Sequence, residues 1–294
     1  MLKRFSLNRI LRMTLFLFIF FLLCLYPGRN NYELKTSTVS GKNFHDIYLV
    51  DSNNYVSKTT IAVSSIEKEK LAKDLLTSLI VDSKNSSKLP EGFKAIIPKG
   101  TKIQKIRIDN KYLTVSFSET ILKSNNKDKM LECIIYTLTS INDIKYIKIL
   151  IDDKENDFFD LEYSRDYGIN KKYDITSLQD INNITLYYVS KYNGVSYYIP
   201  VTKYYNSNED KIKIIIDELS SRSSYQSNLM SYLNYDTKLI NYTIDNNDLY
   251  LYFNQSIMGE DNKILEEVIY SISYSIKDTL PVSNIHFYID NKEI

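Results

Sequence analysis

The chain has 294 residues, of which 44% are hydrophobic and 25% are charged. It is therefore long enough for two domains with sizeable cores. Residues 1–29 hold five basic residues and no acidic one, which leaves 32 basic and 36 acidic residues in the rest of the chain. A mildly acidic body without a Lys/Arg cluster argues against a nucleic-acid partner, because phosphates require a basic surface. The two cysteines, Cys24 and Cys133, are too few for a disulfide framework.

Residues 1–28 are predicted to form an export signal or a membrane anchor. An unbroken apolar run of 12 residues, 15–26, follows four basic residues and ends at Pro27-Gly28. A basic lead before an apolar segment is typical of export signals and keeps the N-terminus in the cytoplasm. Counted from Ile10, with Arg12 reaching to the interface, the run has 17 residues, which is about the minimum for a membrane-spanning helix.

This segment has three possible fates. No small-x-small cleavage site follows it, so the leading expectation is an uncleaved single-pass anchor with the body of the chain outside the cytoplasm. In the second, the segment is cleaved and Cys24 carries a lipid, although Leu23 stands where such signals prefer Gly, Ala or Ser. In the third, it is a buried core helix. Residues 29–44 are polar and are predicted to be a flexible tether.

The body of the chain contains one sequence pattern twice. Residues 108–122 and 244–258 are identical at six of 15 aligned positions, whereas this composition gives about one or two by chance. Residues 131–136 and 265–270 share a Leu-Glu pair and an Ile-Tyr pair at the same spacing. A period of about 138 residues is a domain length, not a solenoid repeat. We predict a first repeat at 45–153, a linker at 154–180 and a second repeat at 181–294.

Each repeat begins with two strands and a helix. The strands are predicted at 47–50 and 59–63 in the first repeat and at 186–189 and 197–201 in the second. In the first repeat, a Ser64-x-x-Glu67 capping box precedes a helix in which residues 71, 75 and 79 are leucines on one face. In the second repeat, an apolar face at 212, 215, 216 and 219 follows Glu209-Asp210, acids suited to a helix N-terminus.

A hairpin, a second helix and a last strand complete each repeat. Asp109-Asn110 and Asp245-Asn246 are turn formers, and apolar residues alternate after them at 113, 115 and 117 and at 249, 251 and 253. The second helix has apolar positions 131, 134, 135 and 138, aligned with 265, 268, 269 and 272. The last strand is 145–152 or 284–290. The order β-β-α-β-β-α-β predicts an α/β (α+β) protein with mixed sheets and helices packed on them.

The ordered pieces of the first repeat resemble the GerM domain of exported bacterial proteins. They are Ile97-Pro98-Lys99-Gly100-Thr101-Lys102-Ile103, the Asp109-Asn110 turn, Val115-Ser116-Phe117-Ser118, Ile135-Tyr136-Thr137-Leu138-Thr139 and IKILID at 147–152. The match covers nearly all of residues 45–153. The second repeat departs from the pattern, because Tyr235-Asp236-Thr237 replaces the Pro-x-Gly-Thr piece and Tyr-Ser-Ile-Ser at 270–273 replaces Tyr-Thr-Leu-Thr.

The resemblance implies a signal or lipoprotein anchor followed by tandem domains. It also implies a non-catalytic role in sporulation or spore germination at the cell envelope. Related folds build ring assemblies between the two membranes of the developing spore. We therefore expect a scaffold or assembly component, located at the cell membrane with its bulk outside the cytoplasm, whose partners are envelope proteins or further copies of itself.

The sequence offers no convincing catalytic, cofactor or metal site, so we predict that the protein is not an enzyme. His45 and His286 lack partners at ligand spacing, and a structural or surface role is expected for each. No hydrolase elbow, histidine metal motif or phosphate-binding Gly loop is present. Asp152-Asp153 and Asp290 end the last strands, where solvated turn residues are commoner than acid–base pairs. Cys133 has no activating base and is predicted to be a partly exposed helix residue.

Tyrosines are concentrated in the second repeat, with 16 of 26 in residues 181–294. Tyr250 and Tyr252 lie opposite the predicted buried face, where the first repeat has Thr114 and Ser116. Such an aromatic face is suited to packing on a partner or stacking on glycan, although tyrosine is also a good strand former. We predict Tyr250 and Tyr252 as a candidate partner surface. The alternative functions are a peptidoglycan-binding module in vegetative cells and, third, an exported hydrolase.

Overall fold

A computed structural model of the chain describes residues 43–159, 161–221, 229–259, 261–290 and 292–294. The elements of the first repeat are β1 (Asn43–Asp51), β2 (Val56–Val63), α1 (Lys68–Leu79), β3 (Phe93–Lys94), β4 (Ile103–Asp109), β5 (Tyr112–Phe117), α2 (Lys127–Leu138) and β6 (Tyr146–Ile151). The connecting segment contains β7 (Glu162–Tyr163) and β8 (Lys172–Asp174). The second repeat contains β9 (Asn182–Tyr192), β10 (Val195–Tyr205), α3 (Lys211–Ser220), β11 (Leu239–Asp245), β12 (Asp248–Phe253), α4 (Glu266–Thr279), β13 (Asn284–Ile289) and β14 (Lys292–Glu293).

The predicted order β-β-α-β-β-α-β is confirmed in both repeats, and the fold is a mixed α+β fold. The short strands β3, β7, β8 and β14 are additions that the pattern did not predict. Each repeat forms a four-stranded sheet, ordered β4-β5-β6-β7 in the first, where β7 comes from the connecting segment, and β11-β12-β13-β14 in the second. In both sheets the hairpin pair is antiparallel and its second strand pairs in parallel with the last strand of the repeat. The sheets are therefore mixed, as predicted.

The hairpin turns form at the Asp-Asn pairs that the sequence predicted as turn formers. Asn110 and Asn246 have φ of 53° and 55°, in the left-handed region that Asn tolerates better than most residues. The alternating residues that follow them, Leu113, Val115 and Phe117 and Leu249, Leu251 and Phe253, are at most 1% exposed. Each hairpin thus presents one fully buried face to the helices of its own repeat.

The first hairpins of the two repeats join into one sheet. Strand β2 pairs antiparallel with β10 at Lys58 and Tyr198, so the sheet continues as β3-β1-β2-β10, with β9 on the far side of β10. Strand β8 runs parallel to the end of β10. Because β2 and β10 are equivalent strands of the two repeats, their antiparallel pairing relates the repeats by an approximate two-fold rotation. Both repeats belong to one compact unit.

The first helices begin differently from each other. Helix α3 has Asp210 as N-cap, and its carboxylate accepts a hydrogen bond from Lys213 N at 3.1 Å, in agreement with the predicted acidic start. The capping box predicted at Ser64-x-x-Glu67 is wrong, because α1 begins at Lys68 with Glu67 as an N-cap that makes no side-chain capping bond. The leucines at 71, 75 and 79 are nevertheless buried, as predicted.

The structural correspondence between the second helices, α2 and α4, differs from the sequence alignment by about one helical turn. The Tyr136 ring packs on Tyr48 of β1 with centroids 5.3 Å apart, and the Tyr274 ring packs on Tyr187 of β9 at the same distance. Tyr136 therefore corresponds to Tyr274 in the structure, whereas the sequence alignment paired it with Tyr270. A shift of four residues keeps almost the same helix face, so the apolar pattern alone could not detect it.

Hydrogen bonds to the first strands support this corrected helix register. The backbone N–H of Tyr48 donates to Thr137 Oγ1 at 3.0 Å, and that of Tyr187 donates to Ser275 Oγ at 2.8 Å. Thr137 and Ser275 follow the two equivalent tyrosines directly. Leu265, which the alignment placed in the apolar face, is instead the N-cap of α4 and is 41% exposed.

Cys133 is fully buried, so its prediction as a partly exposed residue is wrong. Every residue of α2 from Met130 to Leu138 is buried. The helix packs on β1, β2 and α1, and the turn at Arg165–Tyr167 in the connecting segment covers its remaining side. Burial raises the pKa of the Cys133 thiol well above its ordinary value, so the thiol stays protonated and unreactive.

Candidate functional site

The predicted partner residues Tyr250 and Tyr252 lie on the outer face of the second repeat's four-stranded sheet. Both are half-buried and alternate with the buried Leu249, Leu251 and Phe253 of β12. The parallel register sets Tyr250 beside His286 and Tyr252 beside Tyr288 of β13. We call Tyr250, Tyr252, His286 and Tyr288 the aromatic face.

The rings of the aromatic face contact one another. Tyr250 stacks on His286 with centroids 4.8 Å apart, and Tyr252 lies 5.1 Å from Tyr288. His286 Nδ1 is 2.9 Å from Glu293 Oε1 on β14, so that hydrogen bond fixes the orientation of the imidazole. The face is a continuous, partly exposed aromatic surface with a polar rim, which is a composition suited to protein recognition.

Sequence reasoning missed two members of the aromatic face. His286 and Tyr288 alternate on the last strand as Tyr250 and Tyr252 do on the hairpin strand, so the same period of two would have found them once the strands were paired. At the four equivalent positions the first repeat has Thr114 and Ser116 on β5 and Lys148 and Leu150 on β6. A stacked pair of rings, Tyr112 and Tyr146, lies on the same side of that sheet nearer the hairpin turn. The four rings of the aromatic face are therefore not repeated at the equivalent positions of the first repeat.

The other residues considered for chemistry lie apart from one another. His45 and His286 are in different repeats, and burial lowers the pKa of His45, which keeps its imidazole neutral. Asp152 and Asp290 follow β6 and β13 with φ of 47° and 48°. They accept hydrogen bonds from Gln104 and Gln255, so they act as turn residues in the structure.

A buried polar cluster lies between the repeats, and sequence reasoning missed it. Arg165 of the connecting segment forms an ion pair with Asp278 of α4. Tyr187 donates a hydrogen bond to Asp278 Oδ2 at 2.5 Å, and the hydroxyl of Tyr187 is 3.1 Å from that of Tyr48. The Arg165 guanidinium lies 4.9 Å from the centroid of the Tyr136 ring. We call Tyr48, Tyr136, Arg165, Tyr187 and Asp278 the interface cluster.

The interface cluster stabilises the junction and has no free nucleophile. Burial, reinforced by the Asp278 carboxylate, raises the pKa of Tyr187 well above its ordinary value, so Tyr187 stays neutral and donates its proton in a hydrogen bond. Arg165 Nε donates to Thr139 Oγ1 at 3.1 Å, and the backbone carbonyl of Arg165 accepts from Tyr136 at 3.2 Å. The charges are thus paired with each other inside an aromatic shell.

A second group of contacts at the junction between the repeats forms around Asn170 of the connecting segment. Its side chain accepts from Val56 N at 3.0 Å and donates to Val56 O and Pro200 O, each at 2.7 Å. Its backbone N–H donates to Glu132 Oε2 at 3.0 Å. Desolvation raises the pKa of Glu132 to about 7 despite that hydrogen bond and the nearby Lys171 and Lys129. Asn170 therefore ties β2, β10 and α2 together.

The described residues offer little for a small ligand or a metal. An open groove of about 270 Å³ lies between α1 and β4 and is lined mainly by charged residues, whereas ligand pockets are usually larger and mostly apolar. Within the same described ranges, no three His, Cys, Asp or Glu residues are grouped as metal ligands would be.

The two predictions about the N-terminus concern residues outside the described ranges. The predicted helix in residues 1–28 and the candidate lipid-attachment residue Cys24 both lie there. In the part of the chain that the structure describes, no helix has the length and apolar character that crossing a membrane requires.

Comparisons with known proteins identify the family. The model of the Germane family, described as sporulation and spore germination, matches residues 46–157 and 185–294. Spore germination protein GerM of Bacillus subtilis (strain 168) is 29% identical over 275 residues, which cover 88% of this chain and 74% of that protein. The solved tandem GerMN domains of the sporulation protein GerM from Bacillus subtilis match with a TM-score of 0.77 at 27% identity, covering 85% of this chain and 92% of that one. The chain therefore belongs to the Germane family of sporulation and spore germination proteins.

Proposed function

We propose that this protein acts in sporulation or spore germination as a non-catalytic scaffold at the cell envelope. Family membership supports the sporulation-related role. The scaffold role is supported by the joining of two repeats through paired strands and an ion pair, with the aromatic face on one of them. In this proposal a membrane anchor in residues 1–28, or a lipid on Cys24, holds the chain at the membrane with its bulk outside the cytoplasm.

The aromatic face is the proposed surface for an envelope protein partner. Four rings on two neighbouring strands are partly exposed, and they lie on the side of the sheet away from the helices. Aromatic side chains of this kind supply much of the binding energy in protein interfaces. This clustering is the single observation that carries the binding part of the proposal.

The sporulation role is tested by deleting the gene in its own organism. We expect fewer heat-resistant spores or slower germination, and restoration by the wild-type gene. Normal spore counts and germination, together with altered growth or wall composition, would instead support the peptidoglycan-binding alternative. Sedimentation of the purified protein with isolated cell wall would then measure that binding directly.

The aromatic face is tested by Tyr250→Ser combined with Tyr252→Thr. We expect the variant to accumulate normally and to fail to restore spore formation, because it loses binding surface without losing core packing. The matched control is Tyr112→Ser with Tyr146→Thr, which removes a stacked pair of rings, 4.8 Å apart, from the first repeat. Full complementation by the Tyr250/Tyr252 variant would contradict the assignment of this surface.

A further inference from the structure

Acidic residues border the aromatic face. Asp245 and Asp248 form the strand pair next to the hairpin turn, and the alternation of β12 puts them on the same side of the sheet as Tyr250. Glu293 of β14 reaches that side too, because its Oε1 is 2.9 Å from His286 Nδ1. Asp248 Oδ2 lies 3.8 Å from the other imidazole nitrogen. We call Asp245, Asp248 and Glu293 the acidic rim.

The acidic rim leaves this side of the sheet with a negative charge. Among the described positions of β11 to β14, no Lys or Arg lies on this side, since Lys292 pairs with Ile289 and points to the other one. The imidazole of His286 is outnumbered by the carboxylates of the rim in either protonation state. Desolvation and the acidic rim raise the pKa of Tyr250, so its hydroxyl stays neutral. Neutral rings are thus combined with unbalanced negative charge.

The fold itself does not require this negative charge. Equivalent strands build the same side of the first repeat's sheet, and there the positions are basic. Lys105, Arg107 and Lys148 stand where the second repeat has Asn241, Thr243 and His286. Tyr112 of the first repeat stands where the second has Asp248. The negative aromatic surface is therefore a property of the second repeat, and its chemistry indicates what the surface binds.

We propose that the aromatic face and its acidic rim bind an arginine- or lysine-containing segment of an envelope protein. This deepens the proposed function, on which its biological meaning rests, by giving the chemistry of the partner. A guanidinium or ammonium group can lie against a tyrosine ring by cation–π attraction while it pairs with a neighbouring carboxylate, and the planar guanidinium does both best. Anionic wall polymers and anionic lipid headgroups are repelled by the same rim.

A second copy of this chain is a less suitable partner for the acidic rim. On the basic side of the first repeat, Lys148 already forms an ion pair with Glu155 at 2.5 Å. Asp109 and Glu162 lie on that side as well. Outside residues 1–29, the chain has 36 acidic and 32 basic residues. Little positive charge is left unbalanced there, so we place the cationic segment on a different protein.

Binding of a dye-labelled octa-arginine peptide to the full-length protein, kept in an uncharged detergent, tests this chemistry. Fluorescence anisotropy gives the Kd. The rim variant, Asp245→Asn with Asp248→Asn and Glu293→Gln, removes the charges but keeps acceptors for the bonds from Asn284 and His286, so it should fold normally. We expect its Kd to be about tenfold higher than that of the wild type, whose own Kd should rise with salt.

Two further variants locate the binding. The matched control, Asp109→Asn with Glu155→Gln and Glu162→Gln, removes the same charge from the equivalent side of the first repeat. We expect it to change the Kd by about twofold at most, because these carboxylates are exposed and lie in the other repeat. Tyr250→Ser with Tyr252→Thr keeps every charge and removes two rings. We expect it to raise the Kd about fivefold, because the cation–π contacts are lost.

Equal Kd values for the rim variant and its first-repeat control would overturn the proposal. Concentration-dependent dimers of the wild type in analytical ultracentrifugation, absent in the rim variant, would assign the surface to a second copy and overturn it as well. A rim variant that loses octa-arginine but restores spore formation to the deletion strain would overturn the proposed function of this face and leave its chemistry standing. If the Tyr250/Tyr252 variant fails to restore spore formation while the rim variant binds octa-arginine normally, only the cationic partner is overturned.

Discussion

At the scale of single residues, the Asp278 carboxylate makes the main charged contacts at the junction between the repeats. It neutralises Arg165, whose side chain is 27% exposed, and it accepts the Tyr187 hydroxyl proton in a hydrogen bond. We expect Asp278→Asn to lower the free energy of unfolding by about 3 kcal/mol, because it leaves the guanidinium unpaired among aromatic rings. Urea unfolding measures this. Asp82→Asn, which breaks the exposed pair with Lys99, should leave the midpoint unchanged.

Glu132 makes stability depend on pH. Its pKa in the folded protein is about 7, above the ordinary value of 4.5, so the folded state binds more protons between these pH values. Its contribution to stability is therefore present below pH 4.5 and is lost as the pH rises through about 7. The charged groups around it are Lys171, Lys129 and Asp128.

Glu132→Gln tests this pH dependence, because the amide oxygen can still accept from Asn170 N without a charge. We expect the stability of the variant relative to wild type to increase by roughly 2 kcal/mol between pH 5 and pH 8. Urea unfolding at both pH values provides the comparison. The exposed Glu162→Gln should follow the wild type at both, and parallel profiles for Glu132→Gln would show that Glu132 does not titrate in this range.

At the scale of elements, the connecting segment is a structural component of the junction. Asn170 satisfies three backbone groups, two on β2 and one on β10, from a left-handed conformation with φ of 43°. Asn170→Gly keeps that conformation available and removes the three hydrogen bonds. We expect it to cost about 2 kcal/mol in unfolding experiments. Asn193→Gly, at an exposed turn with φ of 47°, should change stability by a few tenths of a kcal/mol at most.

The main strands and helices could be predicted because their apolar periods are long and occur twice. The interface cluster could not, because its members are far apart in sequence and each has an ordinary local context. Arg165 lies in a charged, aperiodic stretch, and Asp278 occupies the last turn of α4, where an acid has no local reason to be. Cys133 was wrongly predicted to be partly exposed for a related reason. One flank of α2 has a periodic polar pattern, which predicts exposure to solvent, yet the connecting segment covers that flank.

At the scale of the whole molecule, the repeats share more than a covalent link. Asp51 at the end of β1 is 1% exposed and accepts a hydrogen bond from Tyr197 of β10 at 2.9 Å. Tyr48 and Tyr187, which occupy equivalent positions, meet at the approximate two-fold axis. Strand pairing, the interface cluster and Asn170 thus all hold the two repeats together at one junction. A protein joined in this way should hold the aromatic face in a fixed relation to the first repeat.

This joining predicts that the two repeats unfold as one cooperative unit. Leu113 and Leu249 are equivalent hairpin residues, one in each repeat, and both are 0% exposed. Leu→Ala at either position should cost about 2–5 kcal/mol. If the repeats are coupled, calorimetry of each variant will show a single transition moved to lower temperature, with the calorimetric enthalpy equal to the van't Hoff enthalpy. Two transitions, of which each variant moves only one, would mean that the junction is too weak to couple the repeats and that the aromatic face moves independently of the first repeat.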